Sequence, residues 1–267
     1  MRAGVARSLR MARTAPAAAP ADDIFRLEAV SVSFRRNAIE ERSLKHALAG
    51  LLSGRGPSLH RALQDVTLGV RRGEHVGVIG RNGAGKSTLL RVLARVITPQ
   101  AGGVYVAGGV HVVPLLELGI GFQADLSGVE NAHLAGALMG YSYRDIESKM
   151  PAIVEFAELH GFIHEPVKNY SSGMYARLAF ALATDVEPEV LLVDEVFGVG
   201  DEFFMEKCVA RMQRLMRAGT TTVFVSHNLE FLVGQCDRLV WLDEGRVVAD
   251  GPAEEVAEAY RTARGTS

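Results

Sequence analysis

Apolar and polar residues alternate along residues 24–34, "IFRLEAVSVSF", with the period of two that is typical of a β-strand. Residues 102–116 form short, glycine-punctuated segments that also favour strands. Continuous apolar runs predict further strands at residues 75–80, 189–195, 220–227 and 238–251. Runs of that kind are typical of strands with both faces buried, so we expect a sheet in the interior of the protein.

Helical patterns separate these strands. Residues 87–96, "STLLRVLARV", predict a helix directly after a strand, and helical patterns fill residues 128–184. In the second block, "SYRDIESKMPAIVEFAEL" predicts an amphipathic helix that Pro151 interrupts. The alternation of strands and helices predicts an α/β fold with a buried parallel sheet. A helical lobe at roughly residues 125–185 is inserted into that fold.

One more helix is predicted at roughly residues 40–53, where leucines form a stripe within "RSLKHALAGLLSG". Basic residues share this segment, and Gly50 weakens it. Such a helix suits a membrane surface or a partner protein. It equally suits packing against its own domain, and the sequence leaves the two alternatives open.

Composition describes a globular chain with an uneven distribution of charge. Of its 267 residues 48% are apolar, which is enough for a sizeable core, and its net charge is −2. Residues 1–72 carry 13 Lys/Arg against 6 Asp/Glu, and the remainder carries 16 against 25. Residues 1–22, rich in Arg and Ala, are expected to be a disordered extension, although they are also compatible with a transit peptide. The globular domain is expected to cover residues 23–267.

The segment "GRNGAGKST" at residues 80–88 fits the phosphate-loop pattern G-x-x-x-x-G-K-[ST], between a predicted strand and a predicted helix. Its glycines let consecutive backbone N–H groups point at phosphate oxygens, and the helix N-terminus adds positive charge. Lys86 is expected to reach the β- and γ-phosphates, and the Ser87 hydroxyl to bind Mg²⁺. The predicted nucleotide site comprises Gly80, Arg81, Asn82, Gly83, Ala84, Gly85, Lys86, Ser87 and Thr88.

Two acidic residues end the apolar run "VLLVDE". In a parallel sheet the carboxyl ends of the strands face the ligand. Asp194 is therefore expected to hold Mg²⁺ through its water shell. Glu195 is expected to polarise the water that attacks the γ-phosphate.

The stretch "YSSGMYARLAFA" places Ser172 and Gly173 at the start of a predicted helix, which is a second anion-binding end. A single chain cannot easily aim two helix N-termini at one phosphate tail from opposite sides. Two chains can.

The order of the phosphate loop, "SSGM", the acid pair and "SHN" resembles ATP-binding cassette (ABC) proteins over roughly residues 24–260. The resemblance implies a phosphate-loop α/β core with an antiparallel β patch, and a helical lobe that carries the signature. It also implies a head-to-tail homodimer that binds two ATP molecules. Ser172 and Gly173 of one subunit would then contact the γ-phosphate bound by Lys86 of the other.

The resemblance assigns roles to further positions. His227 matches the switch histidine at the γ-phosphate, and Asp201 matches the loop aspartate that communicates across the dimer. Phe34 matches the aromatic residue that stacks on adenine, unless it is a core residue that closes its strand. For the glutamine that touches Mg²⁺ and the membrane subunit there are two candidates, Gln123 and Glu117, and the sequence does not decide between them.

Four segments, "LLELGIGFQADLSGVEN", "YSSGMYARLAFA", "VDEVFGVGDEFFMEKC" and "GRVVADGPAEEVAEAY", resemble the nucleotide-binding subunits of bacterial polysaccharide exporters. Those serve O-antigen, capsule and teichoic-acid chains. This implies a peripheral ATPase on the cytoplasmic face of the inner membrane, which drives a separate integral-membrane permease and needs no nucleic acid. In a chain ending at Ser267 we expect no appended carbohydrate-binding domain. The alternatives are a drug, lipid or lipoprotein transporter subunit and a soluble ABC ATPase.

Overall fold

The computed structural model describes residues 22–35, 59–116, 119, 121–194 and 202–265. Five features predicted from the sequence lie outside the described residues, namely the extension up to residue 21, the helix at roughly 40–53, Glu117, Glu195 and Asp201. The domain boundaries at residues 22 and 23 stay predictions.

The described elements alternate between strands and helices along most of the chain. The strands are β1 (Asp23–Arg35), β2 (Leu59–Arg71), β3 (His75–Ile79), β4 (Ala101–Val106), β5 (Val112–Leu115), β6 (Val190–Asp194), β7 (Thr221–Val225), β8 (Arg238–Asp243) and β9 (Arg246–Pro252). The helices are α1 (Lys86–Leu93), α2 (Gly128–Leu138), α3 (Tyr143–Ala157), α4 (Ser172–Asp185), α5 (Glu202–Arg217), α6 (Leu229–Gln235) and α7 (Ala253–Gly265), with a 3₁₀ turn at Val167–Asn169. The predicted α/β class is confirmed.

A six-stranded sheet forms the core, with the order β5-β6-β7-β3-β8-β9. The pairs from β5 through β8 are parallel, and β9 is antiparallel to β8. All five residues of β7 are buried, and so are four of the five in both β3 and β6. Burial on both faces explains why these strands are continuous apolar runs in the sequence.

A second, antiparallel sheet has the order β2-β1-β4. Its central strand β1 is the alternating segment that the sequence predicted. Strand β2 was not predicted from the sequence, although Val66, Leu68 and Val70 are buried at alternate positions along it. The predicted β region at residues 102–116 divides between the two sheets, because β4 joins β1 whereas β5 joins β6.

Helices α2, α3 and α4 form the helical lobe and share a buried apolar interior. Gly136 lets α2 and α3 approach closely, since a Cβ at this position would collide with the Ile146 side chain. The predicted interruption at Pro151 is wrong, because α3 runs through it from Tyr143 to Ala157. Proline removes one backbone donor, but buried Ile146 and Ile153 anchor the helix on both sides of Pro151.

Asn131 fixes the start of the helical lobe. Its side chain is fully buried, and its Oδ1 accepts a hydrogen bond of 2.6 Å from the Gln123 backbone N–H. Its Nδ2 donates to the backbone carbonyls of Gln123, Leu126 and Ser127, each at 3.0 Å. One amide therefore satisfies the backbone of the loop that leads into α2.

Replacing Asn131 with alanine is expected to destabilise the protein by about 3 kcal/mol, because several backbone groups lose their partner at once. Urea unfolding followed by circular dichroism measures the change. Asn169→Ala is the matched control, since Asn169 is exposed, and it should change the free energy of unfolding by less than about 0.5 kcal/mol. Equal effects of the two substitutions would contradict the assigned role of Asn131.

Both cysteines, Cys208 and Cys236, are buried free thiols. Burial raises the pKa of each thiol to about 12. Both are therefore protonated at neutral pH, and neither has the character of a nucleophile. Among the described residues, no helix is both long and apolar enough to cross a membrane.

Candidate functional site

The loop between β3 and α1 has the backbone that a phosphate cradle requires. Gly80, Gly83 and Gly85 have φ angles of 148°, 80° and 103°, a region that residues with a Cβ rarely adopt. At two of them there is also no room for a side chain. A Cβ at Gly80 would collide with the carbonyl oxygen of Leu242, and one at Gly85 with that of Ala62.

Lys86 opens α1 and is only 6% exposed. Its Nζ donates to the carbonyl oxygens of Gly80 at 2.9 Å and Arg81 at 3.1 Å. The ammonium group is thus folded back over the loop, where its charge faces the concave side. Burial strengthens the attraction of the ammonium group for an anion, since the effective dielectric constant there is lower than in water.

The turn between β8 and β9 is hydrogen-bonded to the phosphate loop. The N–H of Gly245 donates to the carbonyl oxygen of Ala84 at 3.0 Å, and its own carbonyl accepts from the Gln64 N–H at 2.8 Å. Gln64 Nε2 also donates to the Glu244 carbonyl oxygen at 2.8 Å. The loop is therefore hydrogen-bonded to the β8–β9 turn, and this turn is itself hydrogen-bonded to β2 of the other sheet.

The strand order brings three sequence motifs to one sheet edge. β6, β7 and β3 are neighbours and parallel, so their carboxyl ends lie side by side. Asp194 ends β6 opposite Val225, and His227 follows β7. The acidic strand end, the histidine and the phosphate loop thus share this edge, as expected for ligand sites of open parallel sheets.

A cleft of about 370 Å³ opens over the phosphate loop. It is lined by Phe34, His60, Ala62, Asn82, Gly83, Gly85, Lys86, Ser87, Thr88 and His227. Phe34 is 42% exposed here, which rules out the alternative that it is a core residue. His60 was not predicted as a cleft residue, because β2, the strand that carries it, was not predicted from the sequence.

Ser172 and Gly173 begin α4 in the helical lobe. Ser171 caps this helix, and its Oγ accepts a hydrogen bond of 3.1 Å from the Met174 N–H. Ser172 is exposed, and neither Ser172 nor Gly173 is among the residues that line the cleft over the phosphate loop. The N-terminus of α4, predicted from the sequence to bind an anion, is thus not part of this cleft within one chain.

Contacts within the lobe position α4. The Tyr175 hydroxyl donates to the carbonyl oxygen of Gly119 at 2.9 Å, and burial raises the pKa of this tyrosine above its ordinary value. Glu158 accepts from Arg177 of α4 and from Lys207 of α5, both at 2.7 Å. The signature helix is therefore linked to the helix that follows the acid pair.

Gln123 is exposed at the start of the helical lobe, where Asn131 holds its backbone. It does not line the cleft. Since Glu117 lies outside the described residues, the choice between the two stays open.

The donor set at the sheet edge suits a hard divalent cation. Ser87 supplies a hydroxyl and Asp194 a carboxylate, and oxygen ligands of this kind are the ones that Mg²⁺ prefers. Among the residues that the structure describes, no group of three or more His, Cys, Asp or Glu side chains can hold a metal ion by itself. A magnesium ion here would share its ligands with bound phosphate.

Comparisons with known proteins agree on one family. The family model described as "ABC transporter" matches residues 63–198. The chain is 43% identical over 213 residues to the O-antigen export system ATP-binding protein RfbB of Klebsiella pneumoniae, covering 80% of this chain and 85% of that protein. It is 41% identical over 247 residues to the protein of the same name from Myxococcus xanthus, covering 90% of this chain and 56% of the relative.

A third relative is the teichoic acids export ATP-binding protein TagH of Listeria monocytogenes, 41% identical over 199 residues, 74% of this chain and 58% of that protein. This chain therefore spans little more than half the length of two of these three relatives.

Among solved structures, the chain is similar to a dimeric post-hydrolysis state of the ATP-binding cassette MJ0796 bound to ADP and Pi. The TM-score is 0.68 at 21% identity, covering 86% of this chain and 98% of that one. It is also similar to an ATP-binding subunit of an ABC transporter, with a TM-score of 0.71 at 23% identity over 89% and 93% of the two chains. At such identities the likeness shows the fold.

Proposed function

Because the chain belongs to the ABC transporter family, we propose that it is the ATP-hydrolysing subunit of an exporter of cell-surface polysaccharide. The observation that carries this proposal is the 43% identity to an O-antigen export ATP-binding protein over 85% of that protein's length. The substrate class is therefore an O-antigen, capsule or teichoic-acid type of chain.

The cleft over the phosphate loop is the proposed ATP site. The triphosphate lies along residues 80–88, where backbone N–H groups, the N-terminus of α1 and Lys86 meet its charge. The base is proposed to lie against Phe34, an exposed aromatic side chain that lines the same cleft.

Ser87 and Asp194 are the proposed Mg²⁺ ligands, and Mg²⁺ supplies neutralisation of the phosphate charge. Glu195, one residue beyond Asp194, is the proposed general base for the attacking water. His227, which is exposed and lines the same cleft, is proposed to donate to the γ-phosphate. Catalysis would come mainly from positioning the water and the phosphates and from stabilising their charge, because phosphoryl transfer needs little covalent chemistry from the protein.

A homodimer completes the site. Ser172 and Gly173 form a helix N-terminus that does not line its own chain's cleft, so a second copy has to present them to the γ-phosphate. Asp201 is proposed to contact the partner across this interface. Solved cassettes of the same fold that are described as dimeric support the arrangement.

We propose that ATP hydrolysis by this chain drives a separate integral-membrane permease. The chain would bind peripherally at the cytoplasmic face of the bacterial inner membrane. Relatives named as export-system ATP-binding proteins support such a partner. Gln123 or Glu117 is proposed to lie at the contact with it.

Deleting the gene in its own host and measuring surface polysaccharide tests the proposal. We expect the polysaccharide to be lost from the surface and to accumulate inside the cell. The wild-type chain should restore it, whereas a Lys86→Ala chain should not. Normal surface polysaccharide together with altered drug or lipid export would overturn the assigned substrate class.

A further inference from the structure

We propose that His60 forms, together with Phe34, a two-ring wall that packs against the base of the bound nucleotide. This inference rests on the proposed ATP site and adds to it a residue that determines affinity for the nucleoside. The residue lies near the start of β2, outside the sequence motifs of the predicted nucleotide site.

The pairing of β1 with β2 places the two side chains on the same face of the sheet. Phe34 and His60 are direct partners in the antiparallel register, and directly paired residues project from the same face of a sheet. The neighbouring pair, Ser33 and Arg61, faces the other way. Of these four residues, only Phe34 and His60 line the cleft over the phosphate loop.

An irregularity in the register directs this pair at the cleft. Val32 pairs with Leu63, whereas the next residue of β1, Ser33, pairs with Arg61, so Ala62 is the extra residue on β2. Bulges of this kind re-aim the side chains that follow them. The backbone carbonyl of Ala62 then lies so close to Gly85 that any Cβ there would collide with it.

The strand is thus packed directly against the phosphate loop, and His60 stands two residues from the point of contact. Phe34 and His60 line the same cleft as the phosphate-loop residues Gly83 and Gly85–Thr88. We expect a nucleotide whose phosphates lie on that loop to place its base against the two rings. Both side chains are exposed, so a bound base would cover apolar surface and offer each ring a stacking partner.

Stacking on aromatic rings tolerates any base, because every base has a π-face. We therefore expect His60 to strengthen the binding of ATP and GTP by the same factor. The affinity for the phosphate groups alone should not depend on His60.

The test compares three ligands, ATP, GTP and inorganic tripolyphosphate, by isothermal titration calorimetry. His60→Ala is expected to weaken ATP and GTP about tenfold each and to leave tripolyphosphate binding unchanged. His60→Phe should restore nucleotide binding, because it keeps a ring at this position. Arg61→Ala, one residue along the same strand and on its opposite face, is the matched control and should bind all three ligands like the wild type.

Nucleotide binding within twofold of wild type in His60→Ala would overturn the inference. So would an equal loss of tripolyphosphate binding, which would mean a distorted phosphate loop, or a failure of His60→Phe to restore binding. If His60→Ala does not fold, His60→Thr takes its place, because threonine lacks the ring but favours strands. Lys86→Ala, measured in parallel, separates the two proposals. If Lys86→Ala loses ATP binding and His60→Ala does not, the ATP site stands and only the role of His60 is wrong. Normal ATP binding by Lys86→Ala would contradict both proposals.

Discussion

Lys86→Ala is expected to weaken ATP binding by about 10- to 100-fold, the range that corresponds to the loss of charge-assisted hydrogen bonds to phosphate. The ammonium group is already held over the loop by the carbonyl oxygens of Gly80 and Arg81 at 2.9 and 3.1 Å. Little conformational entropy therefore has to be lost when ATP binds, and the full interaction contributes to affinity.

Calorimetric titration with ATP measures this effect, and phosphate release measures the accompanying loss of turnover. Lys168→Ala removes the same charge from an exposed surface ion pair with Asp125 and serves as the control. It should leave the ATP affinity as it is in the wild type. Unchanged affinity in a folded Lys86→Ala protein would mean that residues 80–88 do not bind phosphate.

The phosphate loop could be predicted from the sequence because its requirements are local. The glycines, the lysine and the flanking strand and helix all fall within one short segment, and the positive φ angles of Gly80, Gly83 and Gly85 are the reason for the glycines. The parallel sheet was predictable for a similar reason. Burial on both faces leaves continuous apolar runs such as β7, which can be recognised without knowing their neighbours.

The parts that escaped prediction depend on contacts between distant residues. His60 joins the cleft only because β2 pairs with β1 in a register that an extra residue shifts. Pro151 does not end α3, because Ile146 and Ile153 on either side of it are buried in the lobe. Asn131 looks like an ordinary polar residue on a helix, and its importance appears only with the loop that it holds.

The separation of Ser172 from the phosphate loop has a consequence for control of hydrolysis. Within one chain the cleft supplies the charge that binds ATP, but not the signature helix. The glutamate proposed to activate water, Glu195, follows Asp194 directly in the sequence. Binding and hydrolysis are therefore expected to depend on different residues, and substitutions can separate them.

Glu195→Gln is expected to show that separation most clearly. Glutamine keeps the size of glutamate but cannot take a proton from water, so turnover should fall by about 10²- to 10⁴-fold, the usual contribution of a general base. ATP affinity should stay close to that of the wild type, because the phosphate loop and Lys86 are unchanged. Dimers that close around ATP should then persist, and size-exclusion chromatography with ATP and Mg²⁺ should detect them.

Glu206→Gln makes the same chemical change at an exposed position of α5 and should hydrolyse ATP at the wild-type rate. Single-turnover measurements of phosphate release at saturating ATP compare the two variants. A loss of ATP affinity in Glu195→Gln would contradict the expected separation, because it would mean that Glu195 contributes to ATP binding. Wild-type turnover in the same variant would contradict the assignment of Glu195 as the general base. Another residue would then have to accept the proton, and the neighbouring acid, Asp194, is already assigned to Mg²⁺.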